Sequence, residues 1–208
     1  MRLNFEHTCY LVSFVIIGLG CRTCKMKRAE IEARKYPVEN NLIKPVKYPA
    51  EAFIIKRHKN SSSRTEAYIQ RFKKVAQAEE KKYGIPASIT LAQGILESAN
   101  GNSKLAAHHN NHFGIKCWCR GKQRDCINMA DDSPRDRFKQ YTTAWESYRH
   151  HSEFVTNMPL KVNKKSNYRD WAKALKRAGY ATKSTYAQDL INIIEKYNLQ
   201  RFDLQRNS

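Results

Sequence analysis

The chain has 208 residues, with 38 Lys and Arg against 19 Asp and Glu, a formal net charge of +19. That length suits one domain with a real core plus additional segments. The charge leaves the fold undetermined and favours polyanionic partners such as a nucleic acid, an acidic lipid or an anionic cell-wall polymer. It is spread through linker-like and helical segments rather than gathered in one block, which argues against a sequence-specific nucleic-acid reader.

The opening "MRLNFEHTCYLVSFVIIGLGCRTCK" carries an apolar run from Cys9 to Leu19. It is too short to span a bilayer comfortably and has the length of a signal-peptide h-region. Arg2, offset by Glu6, makes a weak n-region. Small residues precede Cys21 in "GLGC", as in a lipoprotein signal, although Gly18 stands where such signals usually carry Leu. A plain secretory signal and an uncleaved anchor are the alternatives. Residues 1–21 are therefore expected to direct export to the cell envelope, in the periplasm or at the outer surface, with lipidation of Cys21 left open. Residues 22–60 are rich in Lys, Arg and Glu, and "YPVENNLIKPVKYPAEAF" holds three prolines. No clean period survives there, so the segment reads as a tether between a membrane-proximal end and a domain over 61–203, with 204–208 as a tail.

Helical signals begin at "SRTEAYIQRFKKVAQAEEKKYG". Ser63 and Glu66 have capping-box spacing, and Tyr68, Phe72, Val75 and Ala76 form an apolar stripe that stops at Gly84. The next helix is predicted from Pro86, a favoured first-turn position, to about Ala99, with Gly101 as a stop. Between Phe113 and Tyr141 the period changes. "FGIKCWCRGK", "RDCINMADD" and "DRFKQY" are short and broken by Gly and "DDSP", which fits a small β-hairpin or irregular lobe. Helical patterning returns in "TAWESYRHHSEFV", where Thr143 and Glu146 repeat the capping-box spacing. "YRDWAKALKRAG" closes on Gly179. "STYAQDLINIIEKYNL" places Tyr186, Leu190, Ile193, Ile194 and Tyr197 on one face. The three cysteines of this domain, Cys117, Cys119 and Cys126, are an odd number with no His or Cys at zinc-finger spacing. No metal is expected, and one disulfide or three buried thiols remains.

Within the predicted second helix, Thr90, Gly94 and Glu97 share one stripe, with Gln93 beside it. Ile89, Leu91, Ala92, Ile95 and Leu96 take the other directions, so most of this helix is expected to be buried. A carboxyl at its end, facing apolar walls and the negative pole of the helix dipole, would have a raised pKa and serve as a general acid. Gly94, one turn earlier, would leave room for a ligand. The residues alone leave two roles for Glu97: that acid, or a solvated side chain in a last helical turn.

The blocks "AQGILESANGNSKLA", "NNHFGIK" and "GYATKSTYAQDLINIIEKYNL", in that order, resemble the glucosaminidase family of bacterial peptidoglycan hydrolases. This is the mannosyl-glycoprotein endo-β-N-acetylglucosaminidase-like domain of glycoside hydrolase family seventy-three, found in autolysins and flagellar-rod hydrolases. The resemblance covers roughly Tyr68 to Leu199. It implies a mainly α (α+β) fold, a lysozyme-like helical domain with a small β-hairpin lobe. It also implies an endo-β-N-acetylglucosaminidase that cleaves the β-1,4 bond after N-acetylglucosamine, and it makes Glu97 the general acid.

By the same resemblance, "NNHFGIK" shapes the cleft floor with Asn110, Asn111, Phe113 and Gly114. Asn111 could offer its amide to an N-acetyl group, while Phe113 reads more simply as packing under the helix. Tyr180 and Tyr186 match cleft tyrosines; Tyr186 is equally a core position on the last helix, and Tyr180 follows Gly179 at a helix end. The family often carries a Glu in the lobe, whereas this chain has no Glu between Glu97 and Glu146. Asp125, Asp131, Asp132 and Asp136 are available, and counting back from "RFKQY" brings Asp131 or Asp132 closest to the expected second acid. The same "DDSP" is also an ordinary turn. Carboxyl separation decides retention or inversion, and a sequence supplies none.

The expected partner is a peptidoglycan glycan strand, with no cofactor, no nucleic acid, a membrane tether through the N-terminus and a monomeric state. The missing lobe Glu supports one alternative, a non-catalytic wall-binding module that retains the cleft.

Overall fold

A computed structural model of the chain describes residues 61–117, 125–129, 136–163 and 165–204. The export signal with Cys21, the tether, Cys119, Asp131 and Asp132 lie outside the described residues. Among those described, the elements in order are α1 (Ser61–Tyr83), α2 (Ala87–Glu97), α3 (Lys104–His109), β1 (Cys126–Asn128), β2 (Arg137–Lys139), α4 (Ala144–Thr156), α5 (Tyr168–Arg177), α6 (Tyr186–Lys196) and a final 3-10 turn, Leu199–Phe202. The expected helical domain with a small β element is what forms. No helix among the described residues is long and apolar enough to cross a membrane.

The centre of the molecule is α2. Every residue from Ala87 to Ile95 is buried, because "ASITLAQGILE" offers small or apolar side chains in all directions and α1, α5, α6 and the 3-10 turn pack around it. The surrounding helices face it with amphipathic stripes: Tyr68, Ile69, Phe72 and Ala76 on α1, and Tyr186, Leu190, Ile191 and Ile194 on α6 are all buried.

A helix with no polar face cannot satisfy its own first amide groups. Pro86 is the N-cap of α2 rather than its first helical residue and has no side-chain cap bond. Two distant carboxylates do that work instead. Glu80 Oε2 accepts from Ala87 N at 3.0 Å and Leu204 N at 3.1 Å. Asp203 accepts from Ser88 N at 2.7 Å and from Ser88 Oγ at 2.8 Å. Negative charge at this end also suits the helix dipole. Leu204, expected to begin a tail, is thus tied to the core at its amide.

The expected capping box at Ser63 and Glu66 falls inside α1 instead of at its start. The chain is already helical from Ser61, and Glu66 Oε1 accepts instead from Gln70 Nε2 at 2.8 Å. At α4 the box exists one residue out of step. Thr143 accepts from Glu146 N at 3.4 Å, while Glu146 Oε2 accepts from Thr142 N at 3.0 Å. The buried Glu79 of α1 takes two prongs of the Arg149 guanidinium, from Nε at 3.0 Å and from a terminal nitrogen at 2.8 Å, which locks α1 to α4.

The minor lobe is an antiparallel pair in which Cys126, Ile127 and Asn128 oppose Lys139, Phe138 and Arg137. Lys116 bridges to Phe138, and a disulfide joins Cys117 to Cys126. Of the two expectations for the cysteines, the disulfide is the one that holds for this pair.

Because the Asp203 carboxylate serves two donors at the start of α2, Asp203→Ala should lower the unfolding free energy by about 1–2 kcal/mol. Asp203→Asn, which keeps one acceptor, should lose less; urea denaturation of the two variants beside the parent measures both.

Candidate active site

Glu97 is the last residue of α2, just beyond the buried stretch that ends at Ile95. As a residue it is half-buried, but its carboxyl is not solvated like a surface acid. Oε1 accepts from the Tyr186 hydroxyl at 3.0 Å. Oε2 is buried and has no hydrogen-bond partner among the described residues. Burial pushes the Glu97 pKa up to about 8, against a smaller opposing effect of the Tyr186 hydrogen bond. Glu97 is thus not a fully solvated side chain in a last helical turn.

Beyond Glu97 the backbone turns sharply through three left-handed residues, Ala99, Asn100 and Gly101, with φ of 49°, 60° and 78°. For Ala this conformation costs roughly 1–2 kcal/mol. The Ser98 side chain holds the turn closed, donating to Gly94 O and accepting from Gly101 N at 2.7 Å. The Ser of "LES" thus holds the strained exit that ends α2 at its acid.

The wall opposite Glu97 is aromatic. The Tyr180 ring stacks on that of Tyr186 with centroids 5.6 Å apart and planes 22° from parallel. Both tyrosines are buried, at 2 % and 0 % exposure, and burial, with a smaller contribution from Glu97, raises both phenol pKa values well above the usual range. The structure therefore brings Glu97, Tyr180 and Tyr186 together, and Tyr186 answers to both readings, core residue and acid partner.

The "NNHFGIK" segment lies beneath this wall. Asn111, expected to meet a substrate N-acetyl group, is 1 % exposed. Its Nδ2 donates to Ile115 O at 3.0 Å and Lys139 O at 2.8 Å, and its Oδ1 accepts from Ile115 N at 3.0 Å and Phe113 N at 3.4 Å. Those bonds use the whole amide. Asn111 braces the turn against β2 instead of offering itself to a sugar. Phe113 is packing, as the simpler reading held, with its ring stacked on His151 at 4.0 Å and 18°. Gly114 has φ of 62°, which lets the segment double back towards the lobe.

Gly94 also differs from expectation. A Cβ there would lie 2.5 Å from the Tyr68 hydroxyl oxygen and 3.0 Å from that of Tyr148. The missing side chain makes room for two buried phenols, not for a ligand. Those phenols form a chain in which Tyr148 donates to Tyr68 at 2.8 Å and Tyr68 bonds His112 Nδ1 at 3.1 Å. Burial presses His112 down to a pKa of about 3.

Sequence reasoning missed His151 and gave Gln93 no task, although both sit behind Tyr186. Gln93 Nε2 donates to the Tyr186 hydroxyl at 3.0 Å, and His151 Nε2 meets Gln93 Oε1 at 3.1 Å. A signal was present: Tyr148, His151 and Val155 recur at helical spacing on the buried face of α4. Of the lobe carboxylates, Asp136 is paired with Lys116 at 3.2 Å, while Asp131 and Asp132 fall outside the described residues. Among the described residues no group of three or more His, Cys, Asp or Glu is placed to hold a metal ion.

A mainly helical domain with a small two-stranded lobe, and a carboxyl held out of water at the end of its core helix, is a lysozyme-like glycoside hydrolase domain. Residues 73–199 match the glucosaminidase family, described as mannosyl-glycoprotein endo-β-N-acetylglucosaminidase, and the chain belongs to that family. It is 37% identical over 143 residues to the exo-glucosaminidase LytG of Bacillus subtilis, covering 62% of this chain and 50% of that one. The match thus spans half the length of this relative. The catalytic domain of the autolysin Auto from Listeria monocytogenes superposes with a TM-score of 0.57 at 24% identity, over 88% of this chain and 99% of that one. A peptidoglycan hydrolase from Sphingomonas sp. A1 gives 0.55 at 26% identity, over 65% and 91%.

The crowding at Gly94 has a direct consequence. Gly94→Ala should destabilise the fold by about 1–3 kcal/mol, since the added methyl must displace two hydrogen-bonded phenols. Chemical denaturation measures this, and an unchanged midpoint would show that Tyr68 and Tyr148 can yield.

Proposed function

We propose that the chain is a peptidoglycan hydrolase that cleaves the β-1,4 bond after N-acetylglucosamine within the glycan strand, with Glu97 as general acid. The observation that carries this reading is the asymmetry of the Glu97 carboxyl. One oxygen is held by Tyr186, and the other is buried without a partner. A protonated Oε2 is therefore the atom that can hand its hydrogen to a glycosidic oxygen, and burial keeps that hydrogen in place near neutral pH.

The remaining roles follow from the chemistry. Departure of the protonated leaving group develops oxocarbenium-like charge on the sugar ring. Asp131 or Asp132, in the lobe segment between β1 and β2, is assigned to activate water or balance that charge. Tyr180 and Tyr186 form the wall beside the acid, and carboxylic acid chemistry needs no cofactor. Membership in the glucosaminidase family and likeness to solved peptidoglycan hydrolases support the substrate. The formal charge of +19 suits a polymer bearing peptide carboxylates. Residues 1–21 as an export signal, and 22–60 as a tether, would place the domain within reach of a wall outside the membrane.

Digestion of purified peptidoglycan by the full chain, with mass spectrometry of the products, tests the assignment. Internal cleavage yields muropeptide-bearing oligomers ending in N-acetylglucosamine, whereas trimming from an end yields only small fragments. Glu97→Gln should lower the rate at least about 10²-fold. Wall binding without release by the parent chain would favour the binding-module reading instead. The acid works in its protonated form, so kcat/KM should fall as pH rises through about 8. A profile flat from pH 7 to 9 would remove Glu97 from the role.

A further inference from the structure

Behind Glu97 runs a buried polar chain that crosses three helices. Gln93 lies one turn before Glu97 on α2, His151 comes from α4 and Tyr186 from α6, and all three are 0 % exposed. The hydrogen-bonding inventory of each group sets the direction of the chain. An amide oxygen can only accept, so the 3.1 Å contact between His151 Nε2 and Gln93 Oε1 puts the imidazole hydrogen on Nε2. That turns the Gln93 NH₂ towards Tyr186, where it donates to the hydroxyl oxygen at 3.0 Å. With its oxygen occupied, the phenol directs its single hydrogen to Glu97 Oε1 at 3.0 Å.

A phenol left to itself can donate or accept. Accepting from Glu97 would place the acid's hydrogen on Oε1, where Tyr186 would hold it, instead of on Oε2, the oxygen without a partner among the described residues. We propose that Gln93 and His151 are positioning residues: they commit the Tyr186 hydrogen to Glu97 Oε1 and so confine the acid's own hydrogen to Oε2. The proposal rests on Glu97 being the general acid.

Other features fit this role. The chain is neutral throughout, so it orients the carboxyl without stabilising its ionised form by charge. The imidazole is kept neutral by burial, with a smaller contribution from the neighbouring His150, which together lower its pKa to about 3. Its ring is clamped between Phe113, stacked at 4.0 Å, and Tyr180, edge-on at 5.9 Å, so it cannot turn to offer another atom. Nδ1 has no hydrogen-bond partner among the described residues, which leaves Nε2 as the nitrogen that carries out the ring's polar function. The groups facing Glu97 from the packed elements are Tyr186 of α6 and Tyr180 of the turn before it.

The test reads the chain and the chemistry separately. In full-length protein carrying ¹⁵N-histidine and ¹³C-carboxyl glutamate, His151 should show a hydrogen on Nε2 and a bare Nδ1; the opposite tautomer overturns the proposal before any variant is made. Titration of the Glu97 carboxyl should then move upward by about one pH unit in Tyr186→Phe, which removes a hydrogen bond to the charged form. Gln93→Leu should move it in the same direction, and should add nothing in the Tyr186→Phe background. His151→Phe, which keeps the ring stacked on Phe113, gives a second route if Gln93→Leu does not fold, and should shift the titration less. Additive shifts, or no shift in either variant, would mean that Gln93 and His151 are packing only. The alkaline limb of kcat/KM on peptidoglycan should follow the titration from variant to variant. A carboxyl that moves while the limb stays put would instead remove Glu97 as the acid, and the positioning role with it.

Discussion

A carboxyl with no like charge beside it stays protonated near neutral pH where water does not solvate its charged form, and that requirement shapes the whole domain. Glu97 meets it by ending a helix that has no solvent-facing side along most of its length. Such a helix must have its first amides satisfied by other parts of the chain, and Glu80 and Asp203 supply the acceptors from α1 and the C-terminal turn. It also brings neighbouring aromatic rings close, so one of its positions must lack a side chain. Gly94 is that position, and the loss of helix propensity there, roughly 1 kcal/mol relative to Ala, makes room for Tyr68 and Tyr148. The buried carboxyl, the borrowed caps and the glycine are three aspects of one constraint.

The same constraint explains why the surroundings of Glu97 are polar yet uncharged. A cation within reach would pull the carboxyl back towards its ordinary pKa. A purely apolar wall would leave Oε1 unsatisfied and free to take the hydrogen. Phenol, amide and neutral imidazole avoid both outcomes. The charged pairs of the interior lie elsewhere: Glu79 with Arg149 fastens α1 to α4, and Lys116 with Asp136 fastens the lobe.

What could be read from the residues divides along sequence distance. Local periodicity located the helices, and the 3- and 4-residue spacing in "TLAQGILE" was enough to single out Glu97 and predict a buried helix around it. Interactions across many residues were not legible. Nothing near Pro86 announces a cap from Asp203, and the Ser63–Glu66 spacing mimics a box inside a helix that is already running. Gly94 shows how a correct observation can mislead: a gap in a helical stripe does not say what fills it, and here the occupants lie far off in the chain. Asn111 is the same lesson in polar form, since an amide suited to a sugar suits four backbone groups equally well. His151 stayed hidden because a histidine on an apolar helix face is usually an ordinary core residue, and only the position of Gln93 gives it a purpose.

The raised pKa of Glu97 reaches beyond the site. An unfolded chain releases that proton at the ordinary 4.5, while the folded chain keeps it until about 8. Between those values Glu97 takes up a proton from the buffer on folding. The folded-state pKa lies above the unfolded one, so the associated stability is complete below pH 4.5 and is lost as pH climbs to about 8. The protonation state that suits bond cleavage is therefore also the one that favours the folded chain. Buffer chemistry thus enters the heat of unfolding at the side chain that carries the acid, and alkaline conditions weaken the contribution of Glu97 to the fold as they disarm it.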